Sequence, residues 1–146
     1  MKKGLEMRKL DGNCNCGKIS FEINKDDIKR VINCHCNLCR KMNGAVFSTY
    51  VAVLDSGFKL LQGENNICRY QVSQNAHKHF CATCGTPIYN KNHHKYNGIT
   101  IVHFGAINNS EELKPVANIF CESKLFWLDE IFSIKNFDYN ETHGYD

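Results

Sequence analysis

The sequence predicts a mainly β fold built from one or two antiparallel sheets. Three observations carry this reading. Short segments that alternate apolar and polar residues dominate the 146-residue chain, turn residues separate them, and helical periodicity is scarce.

The elements follow in order. Residues 17–23 (GKISFEI) alternate strictly, and residues 44–54 (GAVFSTYVAVL) are rich in β-branched and aromatic side chains. Further strands are expected over residues 58–61, 67–72, 77–80, 87–89, 99–104, 117–120 and 131–134. Turns fall at Asp55-Ser56-Gly57, Gln62-Gly63-Glu64-Asn65 and Asn97-Gly98. A turn or short helix is expected near residues 36–42 and another near 109–113, with a loop or hairpin tip over 90–97. No repeat and no Pro/Gly/Ser linker divides the chain, so residues 1–146 read as a single domain with its core at about 11–135. Residues 140–146 are expected to fray.

Composition narrows the function. Apolar residues make 42% and charged residues 23%, ordinary for a globular domain. A net charge of +3, from 18 basic and 15 acidic residues, is too mild and dispersed to argue for nucleic acid. No apolar stretch approaches the roughly 18 residues of a membrane span. The first residues, MKKGLEMRKLDGN, lack the apolar run of a signal peptide, and a cytoplasmic protein is expected.

Cysteine is the most informative residue. Seven of nine fall into three clusters: Cys14 and Cys16; Cys34, Cys36 and Cys39; Cys81 and Cys84. Without a signal peptide, and with an odd count, metal ligands are a better reading than disulfides. Cys68 and Cys121 stand alone and read as small buried hydrophobes.

Cys81-Ala82-Thr83-Cys84-Gly85 is a C-x-x-C-G turn, whose spacing lets both sulfurs reach one zinc ion at about 2.3 Å. A redox C-x-x-C would want a helix after its first cysteine, whereas Thr86-Pro87-Ile88-Tyr89 reads as a strand. Cys14-Asn15-Cys16-Gly17 supplies two more sulfurs. Together Cys14, Cys16, Cys81 and Cys84 make a four-cysteine structural zinc site joining distant parts of the chain.

Cys34-His35-Cys36-Asn37-Leu38-Cys39 packs three thiols into six residues. It can cover one face of a tetrahedral ion and leave the fourth position open, as catalytic zinc sites do. Spacing alone serves a closed site equally well, completed by His77, His79 or His103. His35 is a poor ligand because it lies between two ligands and is expected to point away. The spacings typical of iron–sulfur clusters are absent.

The order C-x-C-G, C-x-C-x-x-C, F-C-x-x-C-G-T resembles the glutathione-dependent formaldehyde-activating enzyme family, which includes the domain of vertebrate centromere protein V. The matching segments are residues 12–17, 34–41 and 79–86. Residues 44–48 resemble a glycine and aromatic stretch of the family, and 118–124 with Trp127 resemble its closing motif, where the family often has histidine in place of Asn118. Coverage runs from about Asp11 to Trp127.

The resemblance implies an all-β, Mss4-like (β-tent) fold with two zinc ions per chain. Its structural zinc would use Cys14, Cys16, Cys81 and Cys84, and its catalytic zinc Cys34, Cys36 and Cys39. The implied activity is carbon–sulfur lyase chemistry that joins glutathione and formaldehyde to S-hydroxymethylglutathione or reverses it. A thiol such as glutathione is then the expected partner, with no membrane or nucleic acid. Arg40, Lys41 and Lys124 are expected to offset the charge of the thiolates. Two rivals are a non-catalytic zinc module that binds protein or nucleic acid, and a zinc store or redox sensor.

Overall fold

The computed structural model describes residues 8–138, whose ten strands form two sheets. The smaller runs β1 (Lys9–Asn13), β2 (Ser20–Asn24), β5 (Phe58–Gln62). The larger holds seven strands: β3 (Ile28–Cys34), β4 (Ser48–Leu54), β6 (Ile67–Gln71), β7 (Ala76–Cys81), β8 (Pro87–Asn92), β9 (Ile99–His103) and β10 (Ala117–Ile119). Their order is β10-β3-β4-β9-β8-β7-β6. One α-helix, α1 (Asn37–Asn43), connects β3 to β4.

The pairings are antiparallel with one exception that corrects the expectation. β10 lies parallel to β3, because the chain returns to this edge by a long crossover after β9 instead of a hairpin.

Alternation explains the core. In β2, Phe21 and Ile23 are fully buried while Ser20 and Glu22 stay partly exposed. The larger sheet turns Val31, Val51, Val53 and Val102 toward them. Phe58 bridges the two sheets, with ring centroids 5.3 Å from Phe21 and 5.2 Å from Tyr89. Each large side chain buried here contributes about 1.5–3 kcal/mol. The opposite face of the larger sheet carries Ser48, Tyr50 and His103, and α1 packs over it.

Several elements differ from expectation. β1 and β3 were not predicted. Residues 131–134 are no strand: a 3₁₀ helix spans Phe126–Ser133 and leaves Phe126 and Phe132 largely exposed. Residues 109–113 take the turn of the turn or short helix expected there, whereas Cys68 and Cys121, expected to be buried, are exposed, Cys68 on the edge strand β6 and Cys121 just after β10. β8 runs on to Asn92, into the stretch expected as a loop. The expected fraying of residues 140–146 lies outside the described residues. Among the described residues, no helix is long and apolar enough to cross a membrane.

Strand ends place the chemistry. Cys34 ends β3, Ser48 starts β4, His103 ends β9, Pro87 starts β8 and Cys81 ends β7. Antiparallel pairing brings all five to one end of the larger sheet.

Candidate metal centres

The first centre forms where two turns meet. Cys14 closes a turn after β1, and Cys81 ends β7. Gly17 and Gly85 follow their cysteine pairs at φ of 80° and 79°, a left-handed backbone that L side chains rarely adopt. Nothing lies within 4 Å of a Cβ added at either, so conformation and not space requires glycine. The turn around Gly85 lets the Cys81 N–H donate to the Thr86 carbonyl (3.0 Å) and the Gly85 N–H to the Cys81 carbonyl (2.9 Å).

The four sulfurs of Cys14, Cys16, Cys81 and Cys84 lie within 4.8 Å of one another. Cys14 and Cys16 Sγ are 3.5 Å apart, and Cys16 and Cys81 Sγ 3.7 Å. A tetrahedron of sulfurs at about 2.3 Å from an ion has an edge of about 3.8 Å, so this donor set fits a metal ion. Hydrogen bonds favour the thiolates. Ile19 N–H donates to Cys14 Sγ (3.3 Å), Asn66 Nδ2 to Cys81 Sγ (3.2 Å), and Cys84 Sγ lies 3.2 Å from the Thr86 hydroxyl.

These contacts push the thiols apart in acidity. The Thr86 hydroxyl and backbone hold Cys84 down at about 5. A backbone contact at Lys18 favours the Cys16 thiolate, but desolvation and the three neighbouring sulfurs push it up to about 11. Sulfurs this close cannot all ionise unless a cation sits among them.

The second centre is local. Cys34 is the buried last residue of β3, Cys36 caps the N-terminus of α1, and Cys39 lies in the helix. Cys36 Sγ accepts from the Cys39 N–H at 3.2 Å. All three sulfurs lie within 4.8 Å of one another, a donor set for one face of a metal ion. Burial raises the pKa of Cys34 and takes Cys39 well above the ordinary thiol range. Burial also opposes the Cys36 thiolate, but hydrogen bonds from Cys39, Cys34 and the backbone outweigh it.

The helix is held against the sheet by polar contacts. Asn43 Nδ2 donates to Ser48 Oγ (2.7 Å) and to the Tyr50 hydroxyl (3.0 Å), and Ser48 Oγ donates to the Cys39 carbonyl (3.4 Å). Burial raises the pKa of Tyr50, and the neighbouring Cys39 thiol adds to the rise.

Between the centres lies an open cleft of about 390 Å³. Asn43 and Ser48 line its side toward the second centre, Thr86 and Pro87 its side toward the first, and Phe47 and Phe104 give it apolar walls.

The histidines considered as ligands lie elsewhere. Among the described residues, neither thiol group includes one. His77 and His79 stand on β7, and His103 Nε2 bonds Asn90 Oδ1 at 3.0 Å. His35 is buried and turned onto Asn118, with its Nε2 3.2 Å from Asn118 Oδ1 and its ring tilted by 40° against Phe47. Because Asn118 Oδ1 already accepts from Asn33 Nδ2 (3.0 Å), it is an acceptor for His35 too. That contact links the closing motif to the second centre.

The cations expected near this centre are engaged differently. Arg40 donates to the Ser123 carbonyl (3.1 Å) and Asn37 Oδ1 (2.5 Å), while Lys124 pairs with Asp129 (2.8 Å). Lys41 is exposed. A lysine overlooked in the sequence, Lys78, is buried beneath α1 and donates to the Met42 carbonyl. Tyr50 and Asn43 were overlooked as well, since a tyrosine in a β-rich run and an asparagine before glycine carry no distinctive signal.

Two comparisons with known proteins bear on this arrangement. A family model described as "Glutathione-dependent formaldehyde-activating enzyme" matches residues 9–123. A crystal structure of a Rhodobacter sphaeroides protein superimposes with a TM-score of 0.56, covering 74% of this chain and 98% of that one at 20% identity. At that identity the likeness is one of fold alone.

Proposed function

The chain belongs to the glutathione-dependent formaldehyde-activating enzyme family, and from that membership we propose that it is a zinc-dependent carbon–sulfur lyase acting on a thiol and formaldehyde. The observation that carries this reading is the unequal closure of the two thiol groups, four sulfurs in one and three in the other. Cys14, Cys16, Cys81 and Cys84 hold a structural zinc. Cys34, Cys36 and Cys39 would hold a catalytic zinc, which with three protein ligands could also bind the thiol substrate. The whole chain acts as one cytoplasmic domain of the Mss4-like type, where its clustered cysteines stay reduced.

When bound, zinc favours the thiolate form of a coordinating thiol. The residues of the chain do the rest. The cleft seats the body of the thiol, with Phe47 and Phe104 limiting water on its walls. Asn43 and Tyr50 fix the helix from which Cys36 and Cys39 project. The thiolate sulfur adds to the formaldehyde carbon and forms the C–S bond. The carbonyl π pair moves to oxygen, which takes up the proton the thiol released. The product is a hemithioacetal, S-hydroxymethylglutathione when the thiol is glutathione. The reverse path is the lyase direction, and no protein nucleophile is required.

The test is exchange spectroscopy by NMR on glutathione and formaldehyde at equilibrium. The intact protein is expected to speed interconversion above the buffer rate, and Cys36→Ser to return it to that rate. Interconversion no faster than in buffer, with a fully metallated protein, contradicts the activity.

A further inference from the structure

We propose that Lys78 is the buried counter-cation of the three-thiolate centre and positions it through helix α1. The inference rests on the reading that Cys34, Cys36 and Cys39 hold a metal ion.

Lys78 lies in β7 and is only 8% exposed, the one buried lysine or arginine among the described residues. No ion pair among the described residues includes it. Its acceptor is the carbonyl of Met42, near the C-terminal end of α1. Burying an ammonium group is costly unless opposite charge compensates it. A carbonyl at a helix C-terminus carries only a fraction of a negative charge. We place the compensation at the thiols that the same helix carries: Cys36 caps its first turn, and Cys39 is the third of its seven residues. With a divalent ion, three cysteinates leave that centre at net −1, and a substrate thiolate takes it to −2.

The other groups do not supply this charge from within the protein. Lys124 is paired with Asp129, and Arg40, which like Lys78 donates to neutral oxygens, those of Ser123 and Asn37, is only half-buried. His103, on the same sheet face, is held neutral because burial pushes its pKa down to about 3. Lys78 also stands three residues before Cys81, so the strand that ends in the first centre is tied to the helix that carries the second. An Arg40 or Lys41 beside the motif suggests itself from the sequence, but the charge that sits under the helix comes from another sheet strand.

Two substitutions separate charge from packing. Lys78→Gln keeps an N–H donor for the Met42 carbonyl and removes the charge, and Lys78→Arg keeps the charge. Zinc release to a competing chelator would be followed on the full chain, with native mass spectrometry for stoichiometry. The release phase missing in Cys36→Ser identifies the second centre. The expected result is that Lys78→Gln holds zinc at the second centre about tenfold more weakly, as for loss of an outer partner of a metal site. The first centre should release as in the unsubstituted protein, and Lys78→Arg should restore the second. The proposal is overturned if Lys78→Gln releases both ions unchanged, if it loses both in parallel, or if Lys78→Arg behaves like Lys78→Gln. An unsubstituted protein with a single zinc is a separate result, seen before any substitution, and it removes the metal reading on which the proposal stands.

Discussion

The two thiol groups share one ligand type and one end of the larger sheet, yet they are built in opposite ways. The first joins Cys16 to Cys81, 65 residues apart in sequence, and buries Cys14 and Cys81 completely. The second draws Cys34, Cys36 and Cys39 from six consecutive residues at a strand end and a helix cap. A metal that closes a long loop is coupled to folding, because its ligands are far apart in the unfolded chain. A metal held by one short segment constrains little of the chain. In the function we propose, ligand separation in sequence, more than ligand identity, divides the two centres between stability and chemistry.

The largest expected effect comes from breaking the first centre. Cys84→Ser should abolish the cooperative thermal transition followed by circular dichroism, leaving the chain unfolded where the unsubstituted protein is folded. If that variant melts within a few degrees of the parent, the first centre does not carry the fold.

Cys36→Ser should have the inverse profile. Thiol–formaldehyde exchange falls to the uncatalysed rate, one zinc remains and melting shifts little. Comparable unfolding in both variants breaks the division of labour.

Tyr50→Phe sharpens it further. The substitution takes one of two acceptors from the half-buried Asn43 amide and removes the hydroxyl that neighbours the Cys39 thiol. Urea unfolding should report a loss of about 1–3 kcal/mol. Zinc at the second centre should loosen while zinc at the first does not.

The smallest effect belongs to a site remote from both. Asp55 accepts from Lys91 Nζ (2.5 Å) and from the buried Thr100 hydroxyl (2.7 Å). Burial works against its carboxylate, but Lys91 and Thr100 outweigh it and lower the pKa. A depressed carboxyl pKa contributes stability that is complete above the unfolded value of about 4 and is lost as pH falls through the folded value. Asp55 is 49% exposed, so solvent screening holds the loss in Asp55→Asn to about 0.5 kcal/mol near neutral pH. The variant should also lose that part of the acid dependence and keep both metals.

How much of this was legible in the sequence follows from where the information lies. The first centre was readable because both of its pairs carry a cysteine spacing and a following glycine, Gly17 and Gly85, that report local geometry. Strands such as β2 and β4 declare themselves through alternation. β3 (IKRVINC) does not, because Lys29-Arg30 interrupts its pattern and only its neighbours β4 and β10 make it a strand. β1 (KLDGN) is equally plain in sequence and is secured by pairing with β2 and the burial of Leu10. Residues 131–134 have the composition of a strand but no pairing edge, and they close a 3₁₀ segment instead. Lys78 reads as a polar strand residue. Its burial depends on a carbonyl 36 residues away, which no local pattern encodes.

The most direct test of the central claim is native mass spectrometry on freshly reduced protein, with and without glutathione. The account predicts two zinc ions per chain and a glutathione adduct, with the adduct and one ion lost in Cys36→Ser. One zinc in the unsubstituted protein, or an adduct that survives in Cys36→Ser, would contradict an open three-thiolate centre beside a closed four-thiolate one.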